Sequence, residues 1–451
     1  MGQKIYVMFY DWYIWITWAL SAAIILFLGQ KTLWGKGRDG DDSSVNNKNP
    51  PGSTGLRFVG ETISFLRAAN SPLRRKFIDE HELTYGPIFK CNLFGKAKAV
   101  VSVDPEFNKY VLQNEGRLFQ SKVMAPTRNL LGKYGLPEVH GELQKKIHGT
   151  AVNFFRFGKL GSDYMDDIQK VFLAEMSKWE DQRDIPLEHK CHEMGLKVIG
   201  KILLDLPSTE EMKDIYKAFH DFTEAILSLP LNIPGTSYYR GIQEISHKKD
   251  LRVYGGEERA SRYETYGICC KVYQENPRAL EELRAEHDDI IKSKGKHIEK
   301  LTWDDYESMK FTHCVINETL RLASAAPCLF RQTIQDVKVK DYVIPKGWMV
   351  FVLIVATNLD EKYYYEADKF YPWRWQNEEL FDKPFYMPFG GGSRLCPGLH
   401  LGKFEIALFL HYFLTKFRWE PLGVDHATYF PLPSMSKGFP IRLYPRLKNE
   451  E

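Results

Sequence analysis

A disulfide framework is the first thing this chain lacks. Its seven cysteines, at positions 91, 191, 269, 270, 314, 328 and 396, include no Cys-x-x-Cys pair and follow no regular spacing. An odd count without such a pattern fits a reducing compartment, where a lone Cys is most often a small buried hydrophobe. A strong charge of one sign is missing as well. Sixty-one basic residues against 58 acidic ones leave a net charge of +3, too small for a nucleic-acid footprint. No internal repeat occurs, which excludes a solenoid. What remains is globular composition: 451 residues, 44% hydrophobic and 26% charged, enough for a large core.

The one long uncharged apolar run lies near the N-terminus, over residues 12–29 (WYIWITWALSAAIILFLG). It is long enough to span a bilayer as a helix, and its tryptophans fall where an interfacial belt would sit. Lys31, Lys36 and Arg38 follow it, against Lys4 and Asp11 before it, so the positive-inside bias places the C-terminal bulk in the cytosol. A cleaved signal peptide is the competing reading, but no small-x-small cleavage site follows. Residues 31–55 are polar and rich in Pro, Gly and Ser, which predicts a linker. The expected organisation is therefore an anchor over 1–30, a linker over 31–55 and a folded body over 56–451.

Along the body, residues 88–103 read as two short strands around a Gly95 turn, and a helix is expected from Pro105. Helical periodicity dominates to about residue 225. Residues 303–322 contain a long helix, and 330–354 are strand-like around Pro345-Lys346-Gly347. Residues 399–417 are apolar nearly all round, the pattern of a buried helix. The expected fold is mainly α with a small β part.

The chemistry concentrates in Phe389-Gly390-Gly391-Gly392-Ser393-Arg394-Leu395-Cys396-Pro397-Gly398. Glycines let the backbone pass close to a flat cofactor. Free N–H groups in such a loop can bond a thiolate and tune its electron donation. Phe389 can shield the sulfur from water, and Arg394 can neutralise a propionate. Pro397 and Gly398 lead into the buried helix, whose N-terminus favours an anion. A structural cysteine in a Gly-rich turn is the competing reading.

This decapeptide resembles the haem-binding signature of the cytochrome P450 superfamily. Glu318-Thr319-Leu320-Arg321 matches that family's E-x-x-R; the pair sits at i,i+3 and shares one helix face. Alone that motif is uninformative; its value comes from Phe370-Tyr371-Pro372-Trp373-Arg374-Trp375 downstream. The resemblance implies that Arg374 joins Glu318 and Arg321 in a structural triad. It further implies that Cys396 is the axial thiolate of a b-type haem, with Phe389, Gly392, Arg394, Gly398 and Arg331 around the cofactor. Lys145 and His148 stand where the family has a propionate-binding W-x-x-x-R, and are read equally as propionate donors or as a solvated basic face. The likeness covers about residues 50–445. Residues 109–116, 345–348 and 372–375 look most like plant steroid hydroxylases of the brassinosteroid C-22 type.

One segment departs from the family. The oxygen-binding helix carries a Gly two positions before an acid–Thr pair, and the best match here is Ser261-Arg262-Tyr263-Glu264-Thr265. Glu264 and Thr265 are the candidate proton relay, but Arg262 replaces the Gly. Residues 247–261 are too charged for a helix crossing a core, and the stretch over 240–261 is several tens of residues short. A deletion or splice form is one reading; altered haem chemistry is the other. Glu264 is accordingly either a relay or an exposed helical carboxylate.

The resemblance implies a monooxygenase of the endoplasmic reticulum membrane, catalytic body in the cytosol. It would take electrons from NADPH through a separate reductase and hydroxylate a sterol side chain. Residues 119–135, 219–230, 323–329 and 432–436 are expected to line an apolar cavity. Two alternatives remain: a haem-thiolate isomerase or dehydratase that needs no reductase, and an inactive membrane haem protein.

Overall fold

The computed structural model describes residues 49–446 except 56–59, 72, 96–97, 133–134, 156–157, 159–160, 162–163, 206–216, 218–220, 223–224, 226–231, 248–275, 295–299 and 431. The expected anchor over 12–29 lies outside the described residues. Among those described, no helix is long and apolar enough to cross a membrane.

A six-stranded mixed sheet organises the N-terminal part. It is built from β1 (Gly52–Ser53), β2 (Ile88–Cys91), β3 (Ala99–Ser102), β4 (Phe119–Ser121), β6 (Cys328–Thr333) and β9 (Met349–Leu353), in the order β1-β2-β3-β9-β6-β4. Side chains alternate across it, as a two-residue period demands. Ala99, Val101, Phe351 and Leu353 pack on one face with Phe65 and Phe77. Val100, Val350 and Val352 pack on the other with Phe107 and Val111. Those partners come from helices α1 (Thr62–Ala69), α2 (Lys76–Tyr85) and α3 (Pro105–Gln113). Asp104 caps α3 by accepting from the Phe107 N–H, with Pro105 in the first turn.

The end of the expected linker is not free chain. Gly52 and Ser53 pair in parallel with Lys90 and Cys91. Glycine makes this possible: a Cβ at Gly52 would lie 2.0 Å from the Lys90 carbonyl oxygen.

Helices dominate the rest: α4 (Ala125–Leu131), α5 (Gly141–Phe154), α6 (Met165–Glu180), α7 (Leu187–Leu204), α8 (Ser237–His247), α9 (Pro277–Lys294), α10 (Trp303–Ser308), α11 (Lys310–Ala323), α12 (Ile354–Asn358) and α13 (Leu399–Lys416). The last of these is the predicted all-apolar helix, and Leu401, Phe404, Ala407, Leu408 and Phe409 are all fully buried. It is the axis of the main core, joined by Phe172 and Trp179 of α6, Leu283 of α9 and Val315 of α11. Thr302 and Asp305 form a reciprocal capping box at the start of α10. A smaller sheet orders β10 (Phe417–Pro421), β13 (Pro440–Pro445) and β5 (Asp184–Pro186), and two antiparallel pairs join β7 (Val337–Val339) to β8 (Tyr342–Ile344) and β11 (Ala427–Thr428) to β12 (Ser434–Met435).

Candidate haem-thiolate site

The cysteine loop leads into the N-terminus of the central helix. Gly398 is the N-cap of α13 and Cys396 lies two residues before it, half-buried. The Cys396 N–H donates to the Phe389 carbonyl at 3.0 Å, which closes the loop on itself. Gly390 and Gly392 take left-handed φ values of 74° and 66°, a region that costs little only for glycine. A Cβ on Gly392 would also lie 2.1 Å from the Leu112 carbonyl oxygen. The loop is thus clamped on the end of α3.

Helix α5 holds the loop from another side. Gln144 Nε2 donates to the Ser393 carbonyl at 3.1 Å. His148 Nε2 lies 2.7 Å from the Leu395 carbonyl, which can only accept. Lys145 has no part in this contact. Helical spacing turns it to solvent, where it pairs with Glu142 at 2.8 Å.

Two guanidinium groups converge beside the loop on one carboxylate. Arg394 Nε lies 2.6 Å from Glu115 Oε1, and Arg331 Nε lies 3.0 Å from Glu115 Oε2. Arg394 also donates to the carbonyls of Leu136 and Val139, at 2.9 and 2.7 Å. Strand β6 places Arg331 opposite Ser121 of β4, whose N–H donates to Glu115. Burial pushes the Arg331 pKa down against the pull of Glu115. Neighbouring His140 is also held below its usual value, first by burial and then by Arg394. Sequence reasoning missed Glu115, which lies within the 109–116 stretch directly before Gly116. The only local signal is an acid inside an Asn-Glu-Gly turn sequence, and in the structure that glycine has φ 78°.

Behind the loop, Lys403 of α13 donates to Asn317 Oδ1 at 2.8 Å, and burial lowers its pKa to about 8. Farther along α11, Glu318 and Arg321 form a bidentate pair at 2.7 and 2.9 Å, with both side chains fully buried. Arg374 Nε joins Glu318 at 3.1 Å. Glu318 also accepts from the Trp375 indole at 2.8 Å and the Tyr371 N–H at 2.9 Å. The remaining Arg321 protons go to the carbonyls of Asn358, Ala367 and Lys369. A buried charge pair needs this saturation to offset its lost hydration. Trp375 and Tyr371 are partners that the E-x-x-R spacing alone does not reveal. Glu264 and Thr265 lie outside the described residues.

The family model for cytochrome P450 matches residues 273–438. Cytochrome P450 720B2 of Pinus taeda is 47% identical over 94% of this chain and 95% of its own length. The chain belongs to the cytochrome P450 family. The abietadienol/abietadienal oxidase of Pinus taeda is 44% identical over 92% of this chain and 95% of its own length. A cholesterol 22-hydroxylase of Paris polyphylla is 33% identical over 96% and 98%. Retinoic acid-bound cyanobacterial CYP120A1 shares the fold, with TM-score 0.74 and 21% identity over 89% of this chain and 100% of that one.

This cytochrome P450 is therefore a monooxygenase with a haem cofactor, and its residues suit such a group. Two guanidiniums, Arg331 buried and Arg394 nearly so, face a single shared carboxylate, which leaves positive charge for carboxylates of a ligand. The half-buried Cys396, which is in no disulfide, sits at the mouth of the central helix. The alignment with the 47% identical relative runs over 471 positions, although 94% of a 451-residue chain takes part. That relative thus carries several tens of residues with no counterpart here.

Proposed function

We propose that this cytochrome P450 oxidises a polycyclic diterpenoid alcohol or aldehyde of the abietane type. The observation that carries this is the 44% identity to an abietadienol/abietadienal oxidase, against 33% to a cholesterol 22-hydroxylase at similar coverage. The sterol side chain expected from the motifs gives way for that reason. Both substrate classes are rigid, polycyclic and largely apolar, so an apolar cavity suits either.

The haem, when bound, supplies oxygen activation: one atom of O2 enters the substrate and the other leaves as water, with two electrons from NADPH through a reductase. Cys396 is the proposed thiolate ligand, and the close packing of its loop supports this. Phe389 shields the sulfur from water. Arg331 and Arg394 hold the propionates, with His148 and Gln144 fixing the loop from behind. Glu264 and Thr265 are the proposed proton relay. The uncharged apolar run over 12–29, with Lys31, Lys36 and Arg38 after it, supports anchoring in the endoplasmic reticulum membrane.

The several tens of residues that relatives carry and this chain lacks favour a second reading, a membrane haem protein without turnover. Co-expression with a plant reductase in microsomes separates the readings. Abietadienol and cholesterol are supplied in parallel with NADPH, and products are identified by mass. Oxidation of abietadienol supports the diterpenoid reading. Turnover of cholesterol alone restores the sterol one. No product from either, with haem bound, supports the second reading.

A further inference from the structure

Far along the chain from the cysteine loop, Glu61, His81 and Cys91 bring a carboxylate, an imidazole and a thiol together, with their donor atoms all within 4.8 Å of one another. They come from the N-terminal edge of α1, the middle of α2 and the end of β2. His81 Nε2 lies 3.1 Å from Glu61 Oε1, and Cys91 Sγ lies 3.1 Å from Glu61 Oε2. We propose that these three residues bind a divalent transition ion of the zinc type, at a site separate from the haem.

Proton placement carries the argument. His81 Nδ1 lies 2.8 Å from the Phe77 carbonyl. A carbonyl only accepts, so Nδ1 holds a proton in every state. Nε2 is then the nitrogen that faces Glu61, and two lone pairs meet there unless a cation lies between them. One way to supply it is a proton on Nε2, giving an imidazolium, a carboxylate and a thiol of zero net charge. Zinc supplies it instead by displacing that proton and the Cys91 thiol proton. The product, Zn2+ with neutral imidazole, carboxylate and thiolate, is again of zero net charge. Two protons leave per ion and no oxidation change occurs. A half-buried pocket accepts such an exchange without gaining a desolvated charge. An Nδ1–H bond to a main-chain carbonyl also fixes the tautomer and ring orientation that a metal-binding His needs.

Geometry and surroundings agree. Tetrahedral zinc with bonds of about 2.0–2.3 Å needs its ligands about 3.5 Å apart, so only small side-chain rotations are required. The His81 side chain is 12% exposed and that of Glu61 16%, which leaves an entry path. The frame is rigid. Glu61 N–H donates to the Asn92 carbonyl at 2.9 Å. The ring of His81 stacks on Phe77 with centroids 4.1 Å apart. Burial and Glu61 push the Cys91 thiol up, while Glu61 raises His81 against burial. In the metal-free chain both protons are therefore held, and zinc must displace them.

The test uses the haem-loaded full chain, stripped with a chelator and dialysed against zinc chloride. Zinc per chain is measured by elemental analysis and Tm is followed with and without the ion. Wild type is expected to take one more zinc than Cys91→Ser or Glu61→Gln, and to gain Tm that neither variant gains. Cys191→Ser, from the helical core, should match wild type. Equal zinc in all four proteins, or none in wild type, overturns the proposal. Zinc-edge X-ray absorption on wild type keeps the test open if the variants misfold. One sulfur at about 2.3 Å with lighter ligands at about 2.0 Å supports the site, and a shell without sulfur overturns it.

Discussion

Arg394 and Glu115, 279 positions apart in the chain, meet at 2.6 Å beside the cysteine loop. The same carboxylate faces Arg331 at 3.0 Å. Removing it leaves two nearly buried cations together. Glu115→Gln should destabilise the haem-free chain by about 3–5 kcal/mol, the usual cost of breaking a buried pair from one side. The loss should be smaller in the haem-loaded chain, because propionates then supply counter-charge. Urea unfolding of both forms measures the difference; equal losses would mean that the arginines do not face the haem.

Glu318 is the hub of the second network. Trp375→Phe keeps the ring but removes the indole donor at 2.8 Å. A hydrogen bond to a charged acceptor contributes roughly 1.5–3 kcal/mol, and stability should fall by that amount. Glu318→Gln should cost more, since it leaves Arg321 buried without its anion. Denaturant midpoints at constant slope check both.

Much of this was legible in the sequence. The Gly-rich decapeptide marked Cys396, and the i,i+3 spacing placed Glu318 beside Arg321. The apolar run over 399–417 gave the buried helix within a residue of its observed ends. Contacts made by long-range packing were less legible. Nothing local to Glu115 says that β4 and β6 bring Arg331 to it. Nothing in a run of four residues says that Lys145 turns outward while Gln144 turns in. Helical phase decides that, and the phase of α5 is weak because only Gln144 is well buried in it. The sequence motifs do not choose a substrate class for a different reason: sterols and polycyclic diterpenoids ask for the same apolar walls.

Acid should weaken the fold through a buried histidine pair. His287 and His411 approach with Nδ1 atoms 3.2 Å apart. Burial lowers both pKa values, His411 to about 4 and His287 well below its ordinary value. The unfolded chain protonates near the ordinary value of about 6.5, where the folded chain stays neutral. Their contribution is therefore complete above about pH 6.5 and declines as pH falls towards 4, at a rate on the order of 1 kcal/mol per pH unit for each group. Unfolding free energies at pH 7.5 and 5.5 should show this slope. It should flatten in His411→Gln.

Gly392→Ala meets two obstacles at once, a φ of 66° and the Leu112 carbonyl oxygen 2.1 Å from the new Cβ. The loop must move. Haem content per chain should drop several-fold, read from absorbance against protein concentration. Gly149→Ala, on α5 with open space around it, should leave haem content unchanged.

The central claim is thiolate ligation by Cys396. The reduced carbon-monoxide difference spectrum of the full chain tests it most directly. A red-shifted Soret band in wild type, abolished in Cys396→Ser, is the predicted result. No such band in haem-loaded wild type, or a band that survives the substitution, contradicts it.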